Sequence, residues 1–395
     1  MTPFTANNSA EFSTVAFYAP LKAPNYPTPS GDQKIAQHFW QCLELCGWAP
    51  VLVSQLRSFS RQGERQHQKR LARLGKWQAN KLIKHYLSLP KAHRPKLWFT
   101  YHLYHKAPDW LGPRVSHALN IPYVIAEASV AEKQRHGPWR YNYRATLAAL
   151  RQADAVISLN PKDLTGIQPY CHATNVCHYL PPFMALPEQA GLPKSTIRQQ
   201  LAQQYGIPED QPWLLSVAMI RPGDKLASYR YLLSCLQSLQ NIPWQWIIIG
   251  EGQAFSQLKK EANALGARIH WLGKLETTQI TPWLQTSDLM AWPAINEALG
   301  MAILEAQMYG LPVITGATPG VCSLFSDSPT QRGGLIIPQQ QPDNFTQGLY
   351  ELLTQPSLRQ QLSQQAQQWS HQHHSLFAAA QQLKQWLTPL IGNAD

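Results

Sequence analysis

Short apolar runs alternate with helix-length amphipathic segments along the first half of the chain. The run STVAFYAP at residues 13–20 predicts a first strand, and the spacing of apolar positions in QKIAQHFWQCLELCG predicts a helix that ends at Gly47. Further strands are predicted at APVLVS, KLWFTYH, PYVIAEA and ADAVISLN, with helix-length segments between them. Such alternation is typical of a mostly parallel sheet that helices cover on both faces.

The second half repeats this pattern. Strands are predicted at PWLLSVAM, WQWIIIG, ARIHWLG, DLMAWPA, LPVITG and GGLIIP, and helices at DKLASYRYLLSCLQSLQ and FSQLKKEANALG. The prolines of residues 178–196 disfavour a helix and predict a linker between the halves. Beyond Pro342 the chain is rich in glutamine, and its apolar spacing predicts two amphipathic helices, with low-complexity disorder as the alternative.

These elements predict an α/β protein with two Rossmann-like, doubly wound domains that face a cleft. The expected boundaries are residues 1–185 for an acceptor-side domain and 186–370 for a donor domain. Residues 371–395 are expected to form a C-terminal helix that packs back on the first domain.

Composition narrows the class of protein. A chain of 395 residues with 44% hydrophobic content is long enough for two cores. No apolar run reaches the ~18 residues of a membrane span, and MTPFTANNSAEF does not resemble a secretory signal, so we expect a cytoplasmic protein. The six cysteines fit no disulfide framework, and CHATNVCH matches no zinc spacing.

The formal net charge of +11 is concentrated between residues 57 and 96, where Glu64 is the single acidic residue. Interleaved apolar residues such as Leu74 and Trp77 predict one or two amphipathic helices with a basic outer face. That face could contact anionic lipid headgroups at the inner membrane surface or attract an acidic acceptor. A solvated cationic helix is the alternative, and no nucleic-acid-binding module accompanies the charge.

The segment WPAINEALGMAILEAQMYGLPVITGATPGV, residues 292–321, carries two carboxylates in apolar surroundings. Glu297 falls in the loop after a predicted strand, and Glu305 lies more than a turn inside the helix that follows. The start of that helix suits a phosphate, and Gly300 allows a ligand to approach the backbone. Carboxylates bind sugar hydroxyls, so the arrangement favours a ligand with a central diphosphate and hydroxyl-rich ends, namely a nucleotide sugar.

This segment resembles the signature of family 4 glycosyltransferases with the GT-B fold, in which seven residues separate two glutamates. The resemblance implies that Glu297 lies by the donor sugar and Glu305 binds the ribose. LLSVAMIRPGDKLASYRYL resembles the loop that holds the donor diphosphate, which implies roles for Arg221 and Lys225. The remaining donor-binding residues that the resemblance implies are Gly300, Met301, Leu272 and Lys274, with Ser30 and Gly31 in the first half.

The chain departs from the family pattern at two places. Many relatives carry a histidine after the strand that matches PYVIAE, whereas this chain has Glu127-Ala128-Ser129. Either His102 or His105 then takes part in catalysis, or no histidine is required. Many relatives also have glycine directly before the arginine, where this chain has Ile220.

The resemblance implies a retaining glycosyltransferase that moves a sugar from a nucleotide-diphosphate sugar to a sugar, lipid-linked or polysaccharide acceptor, in surface polysaccharide or glycolipid synthesis. Positive groups would stabilise the leaving diphosphate. No Asp-x-Asp motif occurs, which favours a route without a metal or other cofactor. The alternatives are a nucleotide-sugar epimerase or a phosphorylase of the same shape, and a non-catalytic nucleotide-sugar-binding or scaffold protein.

Overall fold

The computed structural model describes residues 13–28, 30–173, 176–187 and 191–392. Its contacts divide the chain into two compact units. The first unit contains the residues up to Leu180 and those from Leu376 onward, and the second unit contains Pro181–Ser375. In the described ranges, no helix is both long enough and apolar enough to cross a membrane.

A six-stranded parallel sheet forms the centre of the first unit. Its strands lie in the order β2-β1-β3-β4-β5-β6, so the chain reverses its direction of winding between β1 and β3. This is the flavodoxin-like order of doubly wound sheets. The strands are β1 (Thr14–Tyr18), β2 (Ala49–Ser54), β3 (Leu97–Leu103), β4 (Tyr123–Ala128), β5 (Ala155–Ser158) and β6 (Cys177–Tyr179).

Helices connect these strands. Ser30 caps the first of them, because its hydroxyl accepts a hydrogen bond from the backbone N–H of Gln33 at 3.3 Å. That helix therefore begins at Gly31, two residues before the predicted start, and Gly47 with φ of 86° follows its end. The helices of the first unit before Leu180 are α1 (Gly31–Leu45), α2 (Arg65–Ser88), α3 (Gly112–Leu119), α4 (Arg140–Gln152) and α5 (Pro161–Ile167).

The second unit contains another six-stranded parallel sheet, in the order β12-β11-β10-β7-β8-β9. Counted within the unit, this is the Rossmann order, and its winding reverses between β7 and β10. The strands are β7 (Trp213–Val217), β8 (Gln245–Ile249), β9 (Ile269–Gly273), β10 (Leu289–Trp292), β11 (Val313–Gly316) and β12 (Gly334–Ile337).

The helices of the second unit flank this sheet and extend to Ser375. They are α6 (Lys194–Tyr205), α7 (Asp224–Gln237), α8 (Phe255–Glu261), α9 (Thr277–Thr286), α10 (Met301–Met308), α11 (Pro319–Cys322), α12 (Pro342–Thr354) and α13 (Pro356–His373). The last helix, α14 (Leu376–Gly392), belongs to the first unit. There it packs on α1, where the Cys46 thiol donates to the carbonyl oxygen of Ala380 at 3.2 Å.

Each unit has its own apolar core around its sheet. All five residues of β8, QWIII, are buried, as expected for a strand that helices cover on both faces. Burying a large apolar side chain contributes about 1.5–3 kcal/mol, so these strands form the rigid part of each unit. The largest fully buried side chains include Trp98, Trp213, Trp244, Trp246 and Trp283.

The structure confirms the predicted α/β class with two Rossmann-like domains, and both helices predicted in the glutamine-rich segment are present as α13 and α14. Residues 178–196 are only partly a linker, because β6 ends inside them and α6 begins inside them at Lys194. Strand β6 has only three residues, all half-buried, and it pairs in parallel with β5. Residues 188–190 of the predicted linker lie outside the described residues.

Candidate functional site

The second unit brings Lys225 and Glu297 together at the carboxyl ends of β7 and β10. These neighbouring strands flank the point where the winding reverses, which is where doubly wound sheets bind ligands. Lys225 lies in the first turn of α7, and Glu297 lies in the loop after β10. Lys225 Nζ forms an ion pair with Glu297 Oε2, and the two side chains are 22% and 20% exposed. The structure therefore holds a cation and a carboxylate, largely shielded from water, where a ligand is expected.

An indole lies against this ion pair. Trp292 is the last residue of β10, and its Nε1 donates a hydrogen bond to Glu297 Oε2 at 3.3 Å. Lys225 Nζ lies 5.2 Å from the centroid of the Trp292 ring, a cation–π distance. Trp292 packs in turn against the edge of Tyr229, with ring centroids 5.0 Å apart. Trp292 is not among the site residues predicted from the sequence, although it stands five positions before Glu297.

Hydrogen bonds fix the loop that carries Glu297. The Ser228 hydroxyl accepts from the backbone N–H of Ile295 at 3.1 Å, and Asn296 Nδ2 donates to Asp224 Oδ1 at 3.0 Å. Asn296 has φ of 51°, a left-handed conformation that asparagine tolerates better than most residues. Because both partners belong to α7, the start of that helix and the loop after β10 form one connected structure.

Gly300 begins α10, and Gly320 of α11 packs against the loop before that helix. Gly300 caps the helix with φ of 68°, a left-handed conformation that glycine adopts without strain, and Met301 is its first residue. A side chain at Gly320 would overlap the carbonyl oxygen of Ala298, so only glycine allows this close approach. The predicted helix start is present at Gly300, and Glu305 lies half-buried inside the helix.

The other predicted residues of this unit are more dispersed. Arg221 is exposed before α7, and its backbone carbonyl accepts from the N–H of Leu226 at 3.2 Å. Leu272 is half-buried in β9, and Lys274 is exposed just after that strand, which lies two positions from β7 in the sheet. Among the described residues, no group of three or more His, Cys, Asp or Glu side chains could hold a metal ion.

The first unit has a different cluster at its own reversal point, between β1 and β3. Asp32 is the second residue of α1, and His102 is near the end of β3. His102 Nδ1 lies 3.2 Å from Asp32 Oδ1, and the closeness of this imidazole lowers the pKa of the Asp32 carboxyl. His102 has φ of 64°, which is uncommon for any residue other than glycine and is typical of functional sites.

Glu127 lies near the end of the adjacent strand, β4, and also has a positive φ, of 57°. Its Oε1 accepts a hydrogen bond from the backbone N–H of Leu159 at 2.5 Å. The pKa of Glu127 is raised to about 7, mainly by burial; the Leu159 bond and His102 oppose the rise, and the negative charges of Asp163 and Asp32 add to it. In the sequence, Glu127 stands out only as a departure from the family pattern.

The structure distinguishes the two candidate histidines of this region. Burial, followed by the charges of Lys106 and Lys133, lowers the pKa of His105 to about 4. Its ring packs against the edge of Trp139, with centroids 5.6 Å apart. His102 instead meets a carboxylate, so His102 is the better candidate for contact with a substrate. Ser30 and Gly31 lie at the start of α1, next to Asp32 in sequence.

The basic segment forms one long helix, α2, whose inner face is buried through Leu71, Ala72 and Ala79. Its outer face exposes apolar residues among lysines and arginines. Leu74 is 42% exposed and Trp77 is 62% exposed. Lys81 Nζ lies 5.8 Å from the Trp77 ring centroid. We call this face the outer stripe of α2, and it comprises Arg70, Arg73, Leu74, Trp77, Lys81 and Lys84.

The second unit is similar in sequence to known glycosyltransferases. Residues 197–369 match the family model described as Glycosyl transferases group 1. D-rhamnosyltransferase WbpZ of Pseudomonas aeruginosa is 30% identical over 145 residues, which are 35% of this chain and 37% of that protein. Alpha-D-kanosaminyltransferase of Streptomyces kanamyceticus is 27% identical over 188 residues, 47% of each chain. The chain thus spans less than half the length of these curated relatives.

Solved structures extend the likeness to both units. A glycosyltransferase from Rickettsia africae superimposes with a TM-score of 0.73 at 13% identity, covering 96% of this chain and 99% of that one. Anabaena HepE in complex with UDP gives 0.67 at 14% identity, covering 95% and 100%. These structures confirm the GT-B fold and give no support to the epimerase, phosphorylase or scaffold alternatives. The family match therefore lies within the second unit, and the solved structures show the GT-B fold across both units.

Proposed function

We propose that this protein is a retaining glycosyltransferase that transfers a sugar from a nucleotide-diphosphate sugar to a hydroxyl group of its acceptor. The observation that carries the proposal is the Lys225–Glu297 ion pair at the reversal point of the second sheet. A diphosphate attracts Lys225, and the carboxylate that Lys225 then leaves can bind hydroxyls of the donor sugar. The resemblance to family 4 supports retention, and the group 1 match supports the donor class.

The chemistry follows from where charge develops. The bond between the anomeric carbon and the diphosphate oxygen breaks, and its electron pair passes to the diphosphate. The acceptor oxygen bonds to that carbon from the same face, and its proton passes to a phosphate oxygen of the departing group. Lys225, Arg221 and the N–H groups at Gly300 and Met301 would stabilise the new negative charge, commonly the largest contribution to catalysis. No protein nucleophile, metal or other cofactor enters these steps.

The remaining residues recognise the ends of the donor. Glu305 is assigned to the ribose hydroxyls, and the backbone around Leu272 and Lys274 to the base. In the first unit, Ser30 and Gly31 are assigned to a donor phosphate through the start of α1. His102, held by Asp32, presents its second ring nitrogen to a sugar hydroxyl.

The acceptor class is a sugar, a lipid-linked sugar or a polysaccharide, in surface polysaccharide or glycolipid synthesis. Support comes from the names of similar proteins, which include a D-rhamnosyltransferase and a mannosyltransferase acting on a phosphatidylinositol monomannoside. A further structural neighbour is WaaG, a glycosyltransferase of lipopolysaccharide biosynthesis, with a TM-score of 0.59 at 18% identity.

A thermal-shift screen against UDP-, GDP-, ADP- and TDP-sugars tests the donor class. We expect stabilisation by one nucleotide class, and loss of that shift in Glu305→Ala. Lys259→Ala, on the exposed face of α8 in the same unit, is the matched control and should keep the shift. Failure of every donor to shift the wild-type protein would contradict the proposal, as would an inverted anomeric configuration in the product by NMR.

The outer stripe of α2 supports a peripheral contact with anionic lipid headgroups. No acidic residue occurs in α2, while exposed Trp77 and Leu74 can enter the headgroup region beside the lysines. Co-sedimentation with vesicles tests this contact. We expect binding to vesicles that contain phosphatidylglycerol and not to pure phosphatidylcholine, with a loss in Lys81→Glu/Lys84→Glu. Lys259→Glu/Lys260→Glu, which removes as much positive charge from the second unit, should still bind.

A further inference from the structure

The Trp292 side chain contacts both partners of the Lys225–Glu297 ion pair. Its N–H donates to Glu297 Oε2, the same oxygen that Lys225 binds, while its ring lies beneath Lys225 Nζ. Trp292 is itself only 2% exposed. One rigid, buried side chain therefore limits the positions of two mobile charged ones.

The surroundings of Trp292 keep the indole in place. The Tyr229 ring packs edge-on against it, and the Tyr229 hydroxyl donates to the carbonyl oxygen of Ala218 at 2.8 Å. Tyr229 is fully buried and belongs to α7, the helix that carries Lys225. The indole thus connects the end of β10 to the helix that presents the cation.

We propose that Trp292 is a positioning residue of the donor site, which keeps Glu297 in place by its hydrogen bond and Lys225 within reach by cation–π attraction. This inference rests on the proposed function. When a diphosphate draws Lys225 away, Glu297 loses its cation while still partly shielded from water. The Trp292 N–H then remains as a donor to the carboxylate, which keeps Glu297 oriented for the sugar hydroxyls.

The substitution Trp292→Phe tests this role because it keeps an aromatic ring and removes the N–H. Trp244→Phe is the matched control: Trp244 is a fully buried tryptophan of the same unit whose Nε1 donates to the carbonyl oxygen of Leu239 at 2.8 Å. Both variants lose one buried N–H bond and similar core volume. Only Trp292→Phe should alter the reaction.

The first readout is turnover of the donor selected by the nucleotide-sugar screen. Because Trp292→Phe removes a hydrogen bond to a charged group, we expect its kcat to fall about tenfold or more. The donor KM should stay within about twofold, because Glu297 acts on the sugar and not on the nucleotide. An unchanged kcat in Trp292→Phe, or an equal loss in Trp244→Phe, would overturn the proposal.

The second readout needs no turnover. Inorganic pyrophosphate should draw Lys225 away from the Trp292 ring. The fluorescence of the Trp292 indole is obtained by subtracting the tryptophan emission of Trp292→Phe from that of the wild type. We expect pyrophosphate to change that difference emission, and Trp244→Phe to respond as the wild type does. If pyrophosphate leaves this difference emission unchanged, the proposal that Trp292 restrains Lys225 is overturned. Should no donor be turned over at all, the glycosyltransferase proposal fails, and the pyrophosphate titration still decides whether Trp292 restrains Lys225.

Discussion

The two units share a parallel doubly wound sheet, but their reversal points carry different charges. In the second unit, between β7 and β10, a lysine and a glutamate neutralise each other over an indole. In the first unit, Asp32 at the start of α1 and His102 on β3 lie near Glu127 on β4, so two carboxyl groups accompany one histidine there.

This difference indicates different kinds of ligand group. An ion pair can exchange its internal partner for an external anion, because the lysine gains a phosphate as it loses the carboxylate. Two carboxyl groups beside a histidine suit neutral hydroxyl groups, which both donate and accept hydrogen bonds. The same topology therefore carries an exchangeable ion pair in one unit and hydroxyl-binding groups, next to the start of α1, in the other.

Removing the cation of the second unit should have the largest effect. In Lys225→Ala we expect kcat/KM for the donor to fall about 10²–10³-fold, the usual loss when one preorganised electrostatic group is deleted. Steady-state kinetics measure this, with Lys259→Ala as the control for loss of a lysine. A Lys225→Ala enzyme within about threefold of wild type would show that the ion pair is structural.

A pair of glycine substitutions compares the two helix starts. Gly320→Ala places a side chain on the carbonyl oxygen of Ala298, so we expect a loss of about 1–3 kcal/mol in unfolding free energy together with weaker donor binding. Gly31→Ala, at the start of α1, meets no atom within 4 Å and should leave stability nearly unchanged.

Denaturant unfolding measures the stabilities of both glycine variants, and titration with the donor measures binding. If Gly31 approaches a donor phosphate as proposed, Gly31→Ala should weaken donor binding at unchanged stability. If Gly31→Ala binds the donor as the wild type does, the start of α1 is not part of the donor site.

Neutralising Glu127 in the first unit should change stability in a way that depends on pH. The folded pKa of Glu127, about 7, lies above its ordinary value of 4.5, so its contribution to stability is fully present below 4.5 and is lost as pH rises through 7. Glu127→Gln keeps an oxygen for the Leu159 N–H and removes the charge. We expect its melting temperature to exceed the wild type's at pH 8 and to match it near pH 4.5.

Glu64→Gln is the control for that comparison, because Glu64 is exposed and should give the same difference from wild type at both pH values. A Glu127→Gln protein whose melting temperature differs from the wild type's equally at pH 4.5 and pH 8 would contradict a raised pKa for Glu127. Melting curves at the two pH values decide the question.

Much of the fold was predictable because buried strands such as WIII are continuous apolar runs. Glu297 and Glu305 were recognisable because their spacing follows one helix, α10, and its preceding loop, and Lys225 was recognisable from the resemblance of its own loop before α7. Asp32 and His102, by contrast, meet through the pairing of β1 with β3, and Trp292 and Glu127 gain their roles from neighbours on other elements. Strand β6 and helix α6 were missed because CHY is too short for a pattern and KSTIRQQLAQQY has little apolar periodicity.

The central claim is that the second unit's reversal point binds the donor diphosphate through Lys225. A crystal structure with the nucleotide sugar selected by the screen tests this most directly. We predict Lys225 Nζ at about 2.7–2.9 Å from a phosphate oxygen, away from Glu297, with Glu297 facing the sugar and still bonded to Trp292. A donor bound elsewhere, or a Lys225 still paired with Glu297 beside a bound diphosphate, would contradict the account.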